Sequence, residues 1–233
     1  MLQYWDKRIT ENRPELYAHI QKKHFSSLVR YVIDSRYRTS VKLTPWIKGM
    51  VENPGNEVTN FLNVIPKGRN QEETVMNTFK AVTGHVRYTG DHKQWKRSEY
   101  WQTAAETIKL AKGDCEDGAI AIYVLCRLQG VPANRLLLMA GSVHDPFTNK
   151  IAGHCWVGYR PDNYPLNWVF LDWCYYYTPD SPLIRSKFYV FGKKITEYKG
   201  DYEGIKVEKS NYYNIWFAFN DEKSYNTLLY MND

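Results

Sequence analysis

The hydrophobic pattern changes along the chain, from helical spacing near the N-terminus to strand-like alternation further on. Between Glu11 and Tyr37 the apolar residues recur at mostly three- to five-residue spacing, which predicts one or two amphipathic helices. Prolines and glycines interrupt the following stretch, Leu43 to Asn70, and separate short apolar pieces such as WIKGM and FLNVI. This stretch is interpreted as a wrapping or extended connection.

Two strong helical signals follow. The segment QEETVMNTFKAVTGHVRY, residues 71–88, starts with acidic residues, places apolar residues on one face and reaches Gly84 near its end. It predicts a helix followed by an extended piece. Residues 99–135 contain two helical patterns broken at Lys112-Gly113, and the second should run from about Cys115 to Gln129. Gly130 is then expected in the left-handed conformation that ends helices, and Pro132 confirms the stop.

The chain after residue 135 has the alternation of strands. The runs RLLLMAGSV, GHCWVGYR and NWVFLDW are separated by turn-rich segments and predict an antiparallel meander. Two further runs, KFYVFGKKI and YYNIWFAF, predict two more strands. The expected fold class is therefore α+β, with a helical arm before the core.

Composition supports a folded chain with one unevenly charged segment. The 233 residues are 43% hydrophobic and 15% aromatic, which excludes an intrinsically disordered protein. Residues 1–50 hold ten Lys or Arg and four Asp or Glu, so they account for the whole net charge of +6. Such an arm could meet an acidic partner, or its charges could simply form a solvated helical face. No nucleic-acid motif accompanies them, so nucleic acid is not an expected partner.

No run of apolar residues is long enough for a membrane-spanning helix, and the N-terminus lacks the apolar region of a signal peptide. A soluble protein made without export is expected, either cytoplasmic or associated with a larger assembly.

The four cysteines have neither the spacing of a zinc finger nor that of a disulfide scaffold. Cys126 lies within the apolar run AIAIYVLCRL and is expected to be a buried small hydrophobe. Cys155 should face away from His154, whereas Cys174 should share a face with Asp172. A Cys155–Cys174 disulfide is therefore not expected, although a bulge would invert this argument.

The candidate chemistry starts at Cys115. Backbone N–H groups and the dipole at a helix start stabilise a thiolate, which is the attacking species. Asp114 can cap this helix, with Asp117 at its third position. His154 and Asp172 each lie in a predicted strand, and neighbouring antiparallel strands can present both on one face. That arrangement suits a base that activates the thiol and a carboxylate that orients the base.

The order GDCEDGA, GHCWV, WVFLD resembles the transglutaminase-like superfamily of papain-like thiol enzymes, and in particular the bacterial transglutaminase-like cysteine proteinases. Trp101 and Ala105-Glu106-Thr107 match family elements that precede the cysteine, and the resemblance covers about residues 72–175. It implies Cys115, His154 and Asp172 as the catalytic triad. It also implies a papain-like core in which the nucleophile's helix packs on an antiparallel sheet.

The chain is expected to divide into residues 1–70, a basic helical arm and wrapping segment, and residues 71–233, a catalytic core with a C-terminal β extension. Residues 1–70 and the final third have no match in the family. The expected reaction forms an acyl-thioenzyme from a protein or peptide amide. Water as acceptor makes the protein a peptidase or amidase, whereas an amine makes it a transglutaminase, and the motif does not decide between them. A structural or interaction module of a larger assembly, such as a virion or tail component, is the alternative.

Two parts of the site stay open at this point. The oxyanion needs two donors, of which the backbone N–H of Cys115 is the natural first, and the Trp101 indole or the Gln102 amide is a candidate second. Some bacterial relatives use the acids beside the cysteine for calcium, which makes Asp114 and Glu116 candidate ligands. The simpler interpretation is that these acids only cap the helix and that the enzyme needs no cofactor.

Overall fold

A five-stranded antiparallel sheet and the helix that packs on it form the centre of the structure. The structure is a computed structural model that describes residues 30–34, 39–97, 99–145, 150–161, 169–174, 189–190, 193–194 and 212–226. The helices of this part of the chain are α1 (Leu43–Glu52), α2 (Gly55–Leu62), α3 (Gln71–His85), α4 (Asp91–Trp95), α5 (Ala104–Leu110) and α6 (Cys115–Leu128), with a 3-10 turn at Ala133–Arg135. The strands are β1 (Arg30–Asp34), β2 (Thr39–Lys42), β3 (Arg87–Tyr88), β4 (Lys112–Gly113), β5 (Leu136–Asp145), β6 (Lys150–Tyr159), β7 (Val169–Leu171), β8 (Tyr189–Val190), β9 (Lys193–Lys194), β10 (Tyr212–Phe219) and β11 (Ser224–Asn226).

The main sheet has the strand order β11–β10–β5–β6–β7, and every neighbouring pair in it is antiparallel. The predicted meander is therefore confirmed as β5, β6 and β7. In its register His154 of β6 lies opposite Gly141 of β5, and Val157 lies opposite Leu171 of β7. The α+β fold class is confirmed, with the helix that begins at Cys115 packed against β5 and β6.

Helix α6 is the central element of the hydrophobic core. All of its residues from Glu116 to Cys126 are buried, so no face of its first three turns is open to water. A helix that is apolar nearly all round must be covered on all sides. The covering elements are β5 and β6 together with α1, α3 and α5.

The helices α3 and α6 follow the sequence prediction closely. On α3 the predicted apolar face is buried, with Val75, Met76, Phe79 and Val82 each at most 1% exposed. Gly130 has φ +88°, the left-handed conformation expected after α6. None of the helices in the described ranges is long and apolar enough to cross a membrane.

The prediction for Leu43 to Asn70 is wrong, because this stretch forms the two helices α1 and α2 rather than an extended connection. Pro45 falls in the first turn of α1, where the missing N–H has no intrahelical partner to lose. Asn53 and Pro54 separate the two helices, and Gly55, the first residue of α2, has φ +78°. The breaker residues therefore mark helix ends here, and Leu43 and Ile47 of α1 are fully buried in the core.

The helical prediction for 11–37 is wrong for residues 30–34, which form β1 and pair with β2. Tyr31, Val32 and Ile33 are residues that fit strands well. Tyr31 and Val32 pair with β2, and the register shifts at Ile33. The rest of the predicted arm, including residues 1–29, lies outside the described residues. So does most of the segment KFYVFGKKI, of which β8 and β9 are described as a short antiparallel pair.

A buried ionic network joins the end of the sheet to the central helix. Asp221, which follows β10, accepts hydrogen bonds from Arg127 Nε at 3.0 Å and Arg127 Nη2 at 2.9 Å, and from the Tyr123 hydroxyl. Arg127 Nη1 also donates to the Val131 carbonyl at 2.6 Å. Burial alone would raise the pKa of the Asp221 carboxyl, but the bonds from Arg127 and Tyr123 outweigh it and hold that pKa below its usual range.

We expect Asp221→Asn to lower the free energy of unfolding at pH 7 by about 2 kcal/mol, because it removes the charged acceptor of the half-buried Arg127 guanidinium. Since the folded-state pKa of Asp221 is depressed, its contribution is present above the unfolded pKa of about 3.9 and is lost as pH falls through the folded value. Urea unfolding at pH 7 and near pH 2 measures both effects. The wild type and the variant should converge in acid.

The matched control is Glu52→Gln, which removes an exposed ion pair with Lys48 one helical turn away. Such pairs contribute little, so its unfolding free energy should stay within about 0.5 kcal/mol of the wild type. A constant difference between wild type and Asp221→Asn at both pH values would contradict the ionic explanation.

Candidate functional site

Cys115 is the first residue of α6, at the point where a short strand enters the helix. Asp114 is the N-cap residue in extended conformation, and Asp117, three residues on, accepts the Asp114 backbone N–H at 3.1 Å. The predicted cap is therefore confirmed. Gly113 is needed for this turn, because a Cβ at that position would lie 2.5 Å from the Asp117 side chain.

His154 and Asp172 form a buried pair at neighbouring strands of the main sheet. His154 lies on β6 and Asp172 directly follows β7, and the distance between His154 Nε2 and Asp172 Oδ2 is 2.7 Å. The two residues are 8% and 6% exposed. Asp172 also accepts the backbone N–H of Cys174 at 3.2 Å, which fixes its second oxygen. The pair can therefore hold the imidazole in one orientation.

Trp173 connects this pair to the nucleophile's helix. It is the neighbour of Asp172 in the chain, and its indole N–H donates to the backbone carbonyl of Cys115 at 2.9 Å. The structure thus brings the end of β7 to the start of α6. Sequence analysis did not identify Trp173, because nothing in the run WVFLDW distinguishes it from an ordinary core tryptophan.

The cysteines lie as the strand periodicity predicts. Cys126 and Cys155 are buried, and all four cysteines are free thiols. The Cys174 thiol lies within 4.8 Å of ligand atoms of both His154 and Asp172, in agreement with the expected shared face.

Five carboxylates surround the start of α6, and we call them the acid cluster: Asp91, Glu99, Asp114, Glu116 and Asp117. Their carboxylate oxygens fall into overlapping groups of three whose members lie within 4.8 Å of one another. Asp91 begins α4 and Glu99 follows it, so two members come from a segment that sequence analysis did not connect with the site. The signal would have been the acids in GDH and SEY shortly before the cysteine motif.

The acid cluster is buried and strongly perturbed. Burial, together with the charge of Asp114, raises the pKa of Asp91 to about 7. The same two causes raise the pKa of Asp117 well above its usual range, and burial followed by the charges of Asp114, Asp117 and Glu99 does so for Glu116. One oxygen each of Asp91, Asp114 and Glu116 is buried without a hydrogen-bond partner. A cluster of this kind favours either protonation or a bound cation.

The acid cluster also acts on the nucleophile. The Cys115 thiol donates a hydrogen bond to Glu116 Oε2 at 3.0 Å. Burial, and next the charge of Glu116, raise the pKa of Cys115 well above its usual value. This direction of the pKa shift is opposite to the one expected from a helix start alone, because burial of the thiol and then the neighbouring carboxylates disfavour the thiolate.

The two candidate oxyanion donors also contact the acid cluster. The Trp101 indole N–H donates to Glu99 Oε1 at 2.7 Å. The Gln102 backbone N–H donates to Asp117 Oδ1 at 2.7 Å, and its side-chain amide donates to the Lys112 carbonyl at 3.2 Å and to Asp117. For either group to stabilise an oxyanion it must exchange one of these bonds, so its role stays a prediction.

Comparison with known proteins finds a family model that matches the part of the chain containing this site. Residues 62–173 match the family model of the core of the transglutaminase-like superfamily, a range that contains Cys115, His154 and Asp172. No curated protein matches the sequence closely enough to count as a relative.

Among solved structures the chain is similar to LapG of Legionella pneumophila. An EGTA-treated form has 15% sequence identity and a TM-score of 0.44, with 78% of this chain and 84% of LapG covered. A calcium-bound form has 16% identity and a TM-score of 0.43, with 78% and 87% covered.

Proposed function

Residues 62–173 belong to the transglutaminase-like superfamily, and on that premise we propose that the protein is a cysteine-dependent amide hydrolase acting on a protein or peptide. The observation that carries the proposal is the buried His154–Asp172 pair, joined through Trp173 to the helix that starts at Cys115. These three elements supply a nucleophile, a base and an orienting carboxylate.

In the proposed reaction the Cys115 sulfur attacks the amide carbonyl carbon, and the thiol proton passes to His154. Because His154 Nε2 bonds to Asp172, the proton moves through Nδ1. The imidazolium then protonates the leaving amine as the C–N bond breaks, which leaves an acyl-thioenzyme. Water, deprotonated by His154, attacks the thioester and releases a carboxylic acid and the free thiol. Asp172 stabilises the imidazolium without taking its proton.

The acid cluster fits a calcium ion as part of this site. Calcium takes six to eight oxygen ligands, and the buried Asp91 and Glu116 and the half-buried Glu99 and Asp114 offer carboxylates. Three of these four have an oxygen without a hydrogen-bond partner. When bound, calcium supplies positive charge beside Cys115 that offsets the carboxylate charges opposing the thiolate. Asp117 is the exception in the cluster, because its oxygens already accept bonds from Gln102 and Asp114.

Selective alkylation of Cys115 tests the proposal. We expect iodoacetamide at neutral pH, with millimolar calcium, to modify Cys115 faster than the other three thiols, because in the proposed reaction His154 acts as its base. The Cys174 thiol also lies within 4.8 Å of ligand atoms of His154 and Asp172, so the modified residue has to be identified. Mass spectrometry of tryptic peptides measures the modified residue, and Cys115→Ala should remove the fast phase. The control Cys126→Ala, a fully buried thiol on the same helix, should leave it unchanged.

Incubation with a peptide library, with and without a primary amine, then separates the outcomes. Cleavage supports a hydrolase, and incorporation of the amine would instead show a transglutaminase. A Cys115 that is as inert as Cys126, in calcium and in chelator alike, would contradict an enzymatic site and favour a structural module.

A further inference from the structure

Trp173 is held more tightly than its position at the end of an edge strand would suggest. Strand β7 has three residues and lies at the edge of the sheet, paired only with β6. The residue after it is Asp172, whose place relative to Cys115 therefore depends on what fixes the chain beyond the strand. Trp173 is 4% exposed and is the next residue.

The first restraint on Trp173 is helix α6. Its indole N–H donates to the Cys115 carbonyl at 2.9 Å, one turn before Gly118. The ring lies directly against Gly118, because a Cβ at that position would be 2.2 Å from Trp173 Cε2 and 2.4 Å from Nε1. Such approach is possible only where the helix has no side chain. Gly118 is therefore the position on the nucleophile's helix against which the Trp173 indole packs.

The second restraint is Tyr88 of β3. The centroids of the Tyr88 and Trp173 rings are 6.0 Å apart at an angle of 40°. Tyr88 pairs with Gly113 of β4, two residues before Cys115, so it is itself fixed to the strand that enters α6. The indole contacts the helix through Gly118 and the strand through Tyr88, and both contacts flank Cys115.

We propose that Trp173 is a positioning residue that sets the distance between Cys115 and the His154–Asp172 pair, an inference that rests on the proposed hydrolase function. Its indole N–H donates a hydrogen bond to the backbone carbonyl of Cys115. Its main chain is joined directly to Asp172, the carboxylate that orients His154. A displacement of about 1 Å between reacting groups can cost about 100-fold in rate, so a fixed link has a large effect.

Two variants test this link from opposite sides. Trp173→Phe keeps an aromatic ring on Gly118 but removes the N–H donor, and Gly118→Ala keeps the indole but displaces it. The control is Gly49→Ala in α1, where an added Cβ meets nothing within 4 Å. The measurement is the second-order rate constant for alkylation of Cys115 by iodoacetamide in calcium, in otherwise wild-type protein and in a His154→Ala background.

We expect Trp173→Phe and Gly118→Ala each to slow alkylation about tenfold in the wild-type background, as the loss of one positioning hydrogen bond implies. In the His154→Ala background the same changes should alter the alkylation rate less than about twofold, because Trp173 acts only by setting the distance between the Cys115 thiol and His154. Gly49→Ala should leave the rate unchanged in both backgrounds. Thermal unfolding verifies that each variant is folded, and if Gly118→Ala is not, Trp173→Phe decides alone.

Three results would overturn the inference. Equal slowing in both backgrounds would show that Trp173 only maintains local packing around Cys115. An unchanged rate in Trp173→Phe, with wild-type Cys115 still reactive, would show that the hydrogen bond does not position the thiol. A wild-type Cys115 that reacts no faster than it does in His154→Ala would overturn the proposed hydrolase together with this inference.

Discussion

Replacing His154 by alanine should lower the rate of peptide cleavage about 10⁴-fold or more while the protein stays folded. Burial, and next the charge of Glu116, raise the pKa of the Cys115 thiol, so without an adjacent base little of it is thiolate at neutral pH. Loss of the base removes both the activation of the thiol and the protonation of the leaving amine. Turnover of a cleaved peptide, followed by chromatography, measures the loss.

Asp172→Asn is expected to have a smaller but still large effect of about 10³-fold, because an amide can present the wrong group to the Nε2–H of His154. The control His92→Ala removes an exposed histidine on α4 and should leave turnover unchanged. Cleavage that persists at wild-type rates in His154→Ala would show that the reaction runs elsewhere on the chain.

Calcium should raise the thermal unfolding midpoint by roughly 8 °C at a concentration 100 times its dissociation constant, which corresponds to about 2.7 kcal/mol of binding linkage. The gain arises because the cation neutralises carboxylates that lie close together, three of which have one oxygen without a hydrogen-bond partner. Addition of EGTA should reverse the shift and slow the alkylation of Cys115. Differential scanning fluorimetry with and without chelator measures the first effect.

The variant Glu116→Gln tests this prediction further, because its effect on the thermal unfolding midpoint should change sign when calcium is added. Without calcium the variant should be more stable than the wild type, since it removes one buried charge from a crowded cluster. With calcium it should be less stable, since it removes a ligand. Glu222→Gln, an exposed acid beside Asp221, should behave as the wild type in both conditions. A Glu116→Gln midpoint that shifts with calcium as much as the wild type would exclude Glu116 as a ligand.

The elements that sequence patterns predicted best are those whose apolar residues alone define their position. Helix α3 has a regular apolar face, and the strands β5 and β6 contain apolar runs bounded by turn-rich segments, so each follows from the local sequence. The interpretation of Leu43 to Asn70 failed for a physical reason. A proline in the first turn of a helix costs nothing, so a proline close to apolar residues marks a helix start as readily as a loop.

The candidate site shows the same division. The order of Cys115, His154 and Asp172 could be read from motifs, because each sits within a recognisable run. Asp91, Glu99 and Trp173 could not, since their importance comes from meeting residues that are distant in the chain. The pKa of Cys115 was misjudged in direction because the helix start is a local feature, whereas the burial and the carboxylates around it are products of the tertiary fold.

The Asp221 network limits how far the chain can be truncated at its C-terminal side. Tyr123 and Arg127 stand on the helix that carries the nucleophile, but their acceptor comes from the far end of the chain, 98 and 94 residues later. A fragment trimmed to the family match at 62–173 would leave the Arg127 guanidinium and the Tyr123 hydroxyl without Asp221, their hydrogen-bond acceptor. It would also lack β10, the partner of β5. The shortest expressible unit therefore extends through β11, well past the last residue by which the superfamily is recognised.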